Sequence, residues 1–279
     1  MSNIKVKDFS VSGEVFELKT NVDYGFLETF PQPEASNLSQ YYKSEDYISH
    51  TNTKRNLFEK AYHFVRITTL RRKLKLINSF QFKEKLILDI GCGTGHFLEV
   101  CKNNGWNITG VEPDDQARKI ANSKTDNSVS NIDDLLEFPK QSFDVITLWH
   151  VLEHLPNLES HISLFNSLLQ PNGRLIIAVP NHKSYDAQFY KSFWAAYDVP
   201  RHLWHFNKKS MDKLMEAFNF KVIKTQPMWF DAFYVSMLSE KHKTGKMNFV
   251  KAFGVGFISN LKAMSSKEVS SLIYIIKKG

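Results

Sequence analysis

The stretch from 84 to 105, "EKLILDIGCGTGHFLEVCKNNG", constrains the fold more than any other part of the chain. It opens on an unbroken apolar run of strand length, passes through Gly91, Gly93 and Gly95, and continues with apolar residues at helical spacing. A strand without polar alternation is buried on both faces, which is the setting of a parallel sheet covered by helices on each side. The glycines let the backbone turn sharply between strand and helix and approach a ligand closely.

The pattern then repeats. "WNITGVEP" (106–113) is a second strand, and "DDQARKIANSK" is the next helix, its acids near the start where the dipole favours them. "VSNIDDLLEFP" carries a short third strand and a turn, and "FDVITLWHVLEHL" a fourth strand. "LESHISLFNSLLQPNG" is expected to be a helix closed by Pro-Asn-Gly, ahead of a fifth strand, "RLIIAVPN". "KKSMDKLMEAFNF" resumes a helix, and "KVIKTQPMWF" and "SSLIYIIKK" supply two late strands. This alternation predicts an α/β fold with a mostly parallel sheet and an antiparallel strand at one side.

Outside this core the expectations are coarser. Residues 1–53 form an N-terminal arm in which "EVFELKT" and "YGFLETF" pair as a small hairpin. Residues 54–80 form a helical cap, with Phe58, Tyr62, Val65, Leu70, Leu74 and Ile77 at helical spacing. Residues 81–279 form the main domain, interrupted by an aromatic-rich lid insert at 182–207 and a second lid-like segment at 231–264.

With 42% hydrophobic and 23% charged residues the chain has globular composition. Its longest apolar runs are strand-sized, so no transmembrane segment is expected, and the first residues lack the apolar stretch of a secretory signal. Cys92 and Cys101 make no disulfide framework, which favours a cytoplasmic location. Positive charge is concentrated at 54–85, with ten Lys/Arg against two acids, and at 241–279, with eight lysines against Glu268 alone. Such flanks suit an anionic partner or merely a solvated basic surface.

The glycine loop narrows the ligand. Its spacing is G-x-G-x-G, whereas the dinucleotide fingerprint is G-x-G-x-x-G. Asp89 places a carboxylate where a pyrophosphate is repelled and an ammonium is welcome. Glu112 closes the second strand, where an acid commonly holds a ribose hydroxyl pair. A ribose with a positively charged tail describes S-adenosylmethionine. The competing reading gives the glycines only a tight turn to make.

On these residues the chain resembles the class I S-adenosylmethionine-dependent methyltransferases, of the group that includes the ubiquinone/menaquinone-biosynthesis methyltransferases. "LDIGCGTG", "GVEPD", "DDLLEFPKQSFDVITLWHVLEHLPN" and "LLQPNGRLIIAVPN" are similar to its four successive blocks over roughly 80–230. The resemblance implies a Rossmann-like seven-stranded sheet of order 3-2-1-4-5-7-6 with strand 7 antiparallel. It implies that Asp89, Gly91, Cys92, Gly93 and Gly95 surround the methionine part, and that Glu112 and Pro113 lie at the ribose. Ile132 and Asp133 flank the adenine, with Asp133 and Asp134 ambiguous in register, and Trp149 and His150 lie near the methyl.

The ends resemble a narrower bacterial group. Its "YY-S-YISH" stretch is here Tyr41, Tyr42, Ser44, Tyr47, Ile48, Ser49 and His50, which places Tyr42 and His50 over the cofactor. Its "D-PRH--HF" stretch is here Asp198, Pro200, Arg201, His202, His205 and Phe206. The wider group often begins with a zinc ribbon, but Thr20 and Asp23 stand roughly where its cysteines fall, so the module is degenerate and cysteine-free.

Methyl transfer from a sulfonium aligns a nucleophile with the methyl and, for an oxygen or acidic carbon, removes a proton. His150, His202 and His205 are the catalytic candidates, since imidazole titrates near neutrality. Tyr197, Arg201 and Trp204 are the acceptor-binding candidates. Each has a structural alternative, and Arg201 in particular can pair with Asp198. No metal is expected: nothing matches H-E-x-x-H, and His202 and His205 have no nearby cysteine. The expected activity is O- or C-methylation of a small-molecule acceptor, releasing S-adenosylhomocysteine. An RNA methyltransferase and a non-catalytic cofactor-binding protein are the alternatives. The exocyclic-amine enzymes resemble a [DNS]-P-P-[YFW] signature where this chain has "LWHV", and no RNA-binding module is recognisable. Sequence does not give the oligomeric state.

Overall fold

The computed structural model describes residues 4–42 and 57–279. Its strands are β1 (Ile4–Lys7), β2 (Val15–Thr20), β3 (Leu27–Phe30), β4 (Leu86–Ile90), β5 (Asn107–Val111), β6 (Val129–Ser130), β7 (Phe143–Trp149), β8 (Leu169–Pro180), β9 (Trp204–His205), β10 (Phe220–Pro227) and β11 (Ser271–Lys278). Its α-helices are α1 (Leu57–Asn78), α2 (His96–Lys102), α3 (Asp115–Asn122), α4 (Leu158–Leu168), α5 (Tyr185–Tyr190), α6 (Lys208–Ala217), α7 (Asp231–Thr244) and α8 (Phe249–Ser266).

Seven strands form one sheet in the order β10-β11-β8-β7-β4-β5-β6, with β11 antiparallel to both neighbours. Counted along the chain within this sheet, that is the 3-2-1-4-5-7-6 order of a Rossmann-like methyltransferase. Alternate residues of each strand serve opposite layers, because side chains point to the two faces in turn. Ile87, Val145, Ile176 and Ile275 pack with Leu76, Ile77, Phe97 and Ala121 beneath α1, α2 and α3. Leu88, Ile146, Leu175 and Ile276 pack with Ile162, Phe165, Met211 and Leu214 beneath α4 and α6.

One boundary departs from the sequence reading. Pro-Asn-Gly does not close the preceding helix as a separate turn; β8 already begins at Leu169, paired with Phe143. The next pair is Val145 with Arg174, so residues 170–173 bulge out of register. Gly173 permits this, since a Cβ there would meet the Leu169 side chain at 2.7 Å and the Asp144 carbonyl at 3.0 Å.

The N-terminal hairpin gains β1 on one side and, on the other, β9 from the 182–207 insert, making a four-stranded antiparallel sheet. Val6, Phe16, Leu18 and Tyr41 share a core with Tyr190, Trp194, Tyr197 and Val199 of the insert. The insert is also fixed to the main sheet: Leu203 N–H donates to Glu153 O at 2.8 Å, and Thr29 N–H to Leu203 O at 3.0 Å.

Asp186 ties the insert to the C-terminal helices. It is fully buried, and it accepts from Trp194 Nε1 at 2.7 Å, Ser259 Oγ at 2.6 Å and Ser270 Oγ at 2.7 Å. Asp186→Ala leaves three buried donors without an acceptor and is expected to cost about 3 kcal/mol, read as a lower midpoint in urea unfolding.

Candidate active site

The site forms at the carboxyl edge of β4, β5 and β7, where parallel pairing sets Asp89 opposite Gly110 and Thr147. Asp89 is buried and accepts a 2.5 Å hydrogen bond from Thr147 Oγ1. Burial raises its pKa to about 7, against the hydrogen bond from Thr147 and the charge of Lys73. Lys73 reaches in from α1, its ammonium 4.1 Å from the Trp149 ring centre, and burial lowers its pKa to about 8 against the attraction of Asp89 and Asp231.

The turn after β4 is built by backbone bonds. Gly91 and Cys92 N–H both donate to Val111 O, at 2.9 and 3.2 Å, and Gly95 N–H donates to Cys92 O at 3.1 Å. Gly91, Gly93 and Gly95 all have positive φ, the region in which side chains are strained. They differ in surroundings. A Cβ on Gly95 would lie 2.9 Å from Ala121 Cα, and one on Gly91 would lie 2.6 Å from Val151 Cγ2, whereas one on Gly93 would meet nothing within 4 Å. Gly91 and Gly95 thus serve close packing, and Gly93 faces open space. The Cys92 thiol is held up by burial and by Asp89 and Glu112, so it stays protonated.

Glu112 fixes the opposite wall. Its carboxylate accepts from Gly93 N–H at 2.8 Å and from Asp114 N–H at 3.1 Å, one bond to each oxygen. Burial pushes its pKa up against these two bonds. Pro113 follows, its carbonyl accepting from Arg118 Nη1 at 3.2 Å. Ile132 and Asp133 open a 3-10 turn, Ile132–Leu136. There Asp134 is committed, accepting from Asn131 N–H at 3.2 Å, while the Asp133 side chain is exposed; this separates the two acids that spacing left ambiguous.

The edge also fits the ribose-and-ammonium ligand expected from sequence. Two carboxylates flank an open glycine, and Ser130 Oγ and Trp149 Nε1, at the ends of β6 and β7, are buried without a hydrogen-bond partner among the described residues. Buried polar atoms are seldom left unpaired without a reason.

His150 follows β7 with φ +59° and bridges two acids, Nε2 lying 3.1 Å from Asp231 Oδ2 and Nδ1 3.4 Å from Glu153 Oε1. Burial works against its charge, but those acids outweigh it and lift its pKa to about 10. Asp231 lines a cavity of about 370 Å³ between α1, the end of β10 and the start of α7, walled also by Arg72, Lys73, Lys224, Trp229 and Phe230. The Arg72 guanidinium lies 5.3 Å from the Phe230 ring centre. These residues had no sequence signature: Lys73 and Arg72 sit in a run of basic residues, and only tertiary packing selects those that turn inward.

The insert residues lie elsewhere. Tyr197, Arg201, His202 and His205 are all buried, and none lines that cavity. The Arg201 guanidinium donates to Asp198 Oδ1 at 2.7 Å, Asp8 Oδ1 at 3.0 Å and Tyr41 O at 2.9 Å. Burial alone would raise the Asp198 pKa, but Arg201 holds it below the usual carboxylate range. His205 Nε2 lies 3.0 Å from Thr29 Oγ1, whose own proton goes to His202 O at 2.6 Å, so His205 is the donor. Burial and the neighbouring His202 and His182 depress the His205 pKa. Trp204 is half-buried and donates through Nε1 to Leu155 O at 2.8 Å. Tyr42 OH lies 3.0 Å from His154 Nδ1. His50, with Ser44, Tyr47, Ile48 and Ser49, lies outside the described residues.

Comparison with known proteins accords with this geometry. A family model described as "Methyltransferase domain" matches residues 62–225, more than half of the chain. The chain belongs to that methyltransferase-domain family. It is 30% identical over 132 residues to a ubiquinone biosynthesis O-methyltransferase of Coxiella burnetii (strain RSA 493 / Nine Mile phase I), covering 45% of this chain and 56% of that protein. It is 36% identical over 108 residues to the protein so named from Actinobacillus pleuropneumoniae serotype 7 (strain AP76), covering 35% and 46%. The chain thus spans about half the length of the curated relatives it matches. Among solved structures, magnesium protoporphyrin IX methyltransferase from Synechocystis PCC 6803 with bound SAH matches with a TM-score of 0.57 and 15% identity, covering 88% of this chain and 100% of that one. A SAM dependent methyltransferase from Archaeoglobus fulgidus matches with a TM-score of 0.54 and 22% identity, covering 80% and 98%. These two likenesses show the fold.

The two kinds of glycine are separable by mutation. Gly95→Ala adds overpacking against Ala121 to the left-handed strain and is expected to cost about 2–4 kcal/mol. Gly93→Ala pays the strain alone, about 1 kcal/mol, so thermal unfolding should rank Gly95→Ala well below it.

Proposed function

We propose that this chain is an S-adenosylmethionine-dependent methyltransferase acting on a small-molecule acceptor by O- or C-methylation. The observation that carries the reading is the pairing of Asp89 and Glu112 across the open Gly93, with Glu112 oriented by two backbone amides. Glu112 holds the ribose hydroxyls, the turn from Gly91 to Gly95 receives the methionine part, and Asp89 faces its ammonium. Asp133 is free to meet the exocyclic amine of the adenine. When bound, the cofactor supplies an electrophilic sulfonium methyl and leaves as S-adenosylhomocysteine.

The acceptor occupies the cavity beside Asp231. Its size suits a small ligand, and its walls suit an aromatic or apolar body bearing an anionic group: Trp229 and Phe230 offer ring faces, and Arg72 and Lys224 offer charge. His150 and Asp231 are placed to hold and deprotonate the nucleophilic atom. His202 and His205 remain as supports of the insert rather than acid–base groups, because their backbones and rings are bound into it. The relatives named for ubiquinone biosynthesis O-methylation support an oxygen nucleophile. Among the described residues no helix is long and apolar enough to cross a membrane.

Labelled cofactor offered to fractionated small-molecule and RNA extracts tests the acceptor class. Label is expected in the small-molecule fraction, and label confined to RNA overturns the reading. Asp231→Asn should lower kcat by at least about 100-fold, the scale of a lost acid–base group, and leave S-adenosylhomocysteine affinity within about twofold, the scale of an unperturbed site.

The pH dependence of binding follows from Asp89. The cofactor's ammonium prefers the ionised carboxylate, whose pKa stands at about 7. Affinity for S-adenosylhomocysteine should therefore rise roughly tenfold per pH unit up to about 7 and then level, with a proton released on binding at pH 6. Titration calorimetry in two buffers of different ionisation enthalpy measures both, and Asp89→Asn should abolish both. The sign for stability is opposite. A pKa raised on folding stabilises below the unfolded value of 3.8 and is lost as pH rises through about 7. The unliganded Asp89→Asn variant should accordingly be more stable than the parent at pH 8.

A further inference from the structure

The insert brings His202 against Glu153 and His154, and one ligand atom from each of the three can be chosen so that all lie within 4.8 Å of one another. Glu153 is fully buried, and neither carboxylate oxygen has a hydrogen bond; its nearest polar neighbour is His150 Nδ1 at 3.4 Å. The tautomers of the two histidines are set by carbonyl groups, which can only accept. His202 Nδ1 lies 2.9 Å from Ala196 O and His154 Nδ1 lies 3.1 Å from Arg201 O, so both Nδ1 atoms carry the proton. Each Nε2 is then a lone pair. A buried carboxylate and two imidazole lone pairs form a set of acceptors with no donor between them, and such a set needs a cation.

We infer that Glu153, His154 and His202 form a binding site for a divalent transition-metal ion of the zinc type, distinct from the cofactor edge. Two imidazoles and a carboxylate are a well-attested zinc set, and imidazoles whose other nitrogen donates to a carbonyl are oriented as metal ligands usually are. The backbone of both segments is already fixed: Leu203 N–H donates to Glu153 O at 2.8 Å, His202 N–H to Asp198 O at 3.0 Å, and Thr29 Oγ1 to His202 O at 2.6 Å. Ligands about 2.0–2.1 Å from a tetrahedral zinc stand roughly 3.3 Å apart, so closing on the ion asks for a contraction of at most about 1.5 Å. The ion would clamp the insert to the end of β7. This site stands whether or not the chain transfers methyl groups, because its ligands come from neither the glycine turn nor Glu112.

Metal analysis of the purified full chain, followed by titration of the chelator-stripped protein with Zn²⁺ against a chromophoric competitor, tests the site. About one equivalent should bind with a submicromolar Kd, within the scale of structural zinc sites, and raise the unfolding temperature. Glu153→Gln and His202→Ala should each weaken binding by at least about 100-fold, while His161→Ala, an exposed histidine on α4, should leave it unchanged. Should either variant fail to fold, X-ray absorption of the zinc-loaded parent chain decides, with two imidazoles and an oxygen at about 2.0 Å expected. A folded parent chain that takes up no zinc at micromolar free ion overturns the inference. So does zinc that survives both substitutions, or a coordination shell without two imidazoles.

Discussion

The pairing of β4 between β5 and β7 is the constraint on which the rest of the molecule depends. Its register places Asp89 beside both Gly110 and Thr147, and so fixes where one carboxylate stands before any loop is considered. Gly110 must be small there, since a Cβ would meet Leu98 Cδ1 at 2.5 Å. That close approach seats α2 against β5, and the turn between β4 and α2 then has little freedom left. Glu112 completes the arrangement by bonding back to Gly93, so that the acid of the second strand and the turn of the first hold each other in place.

Around that centre the chain is organised by two large insertions that pack on the N-terminal residues. The 182–207 segment lends β9 to the N-terminal sheet and buries Arg201 between Asp8 and Asp198. A buried guanidinium with partners from two distant segments is a strong specifier of their relative position, because leaving it unpaired is costly. The consequence for chemistry is a division of labour. The insert braces the end of β7, through Leu203 on Glu153 and Trp204 on Leu155, while the cavity beside His150 is walled by α1 and by residues 226–231.

Much of the cofactor edge was legible in the sequence because it is local. Asp89, Gly93 and Glu112 follow from a strand, a turn and the end of the next strand, and their roles are set by spacing along the chain. The choice between Asp133 and Asp134 was not, since it turns on which acid caps the Ile132–Leu136 turn. Nor was the assignment of the insert: an aromatic, histidine-bearing segment after the fifth strand looks like a roof over an acceptor, but its aromatic rings find their partners in Val6, Phe16 and Leu18. The bulge at 170–173 was missed because Pro-Asn-Gly is also the chemistry of a turn that ends a helix.

Sequence by itself determined the layered α/β fold, the strand order implied by its motifs and the acids and glycines of the cofactor edge. Those features rest on hydrophobic period and on backbone geometry, both of which act over a few residues. Only the tertiary structure decided which of several lysines turns toward Asp89, that Asp231 answers His150, and that Glu153, His154 and His202 converge. These meetings join residues 48 to 81 positions apart or more, and no periodicity encodes them; they follow from burial, which forces each charged or polar group taken out of water to find a partner wherever the packed layers bring one.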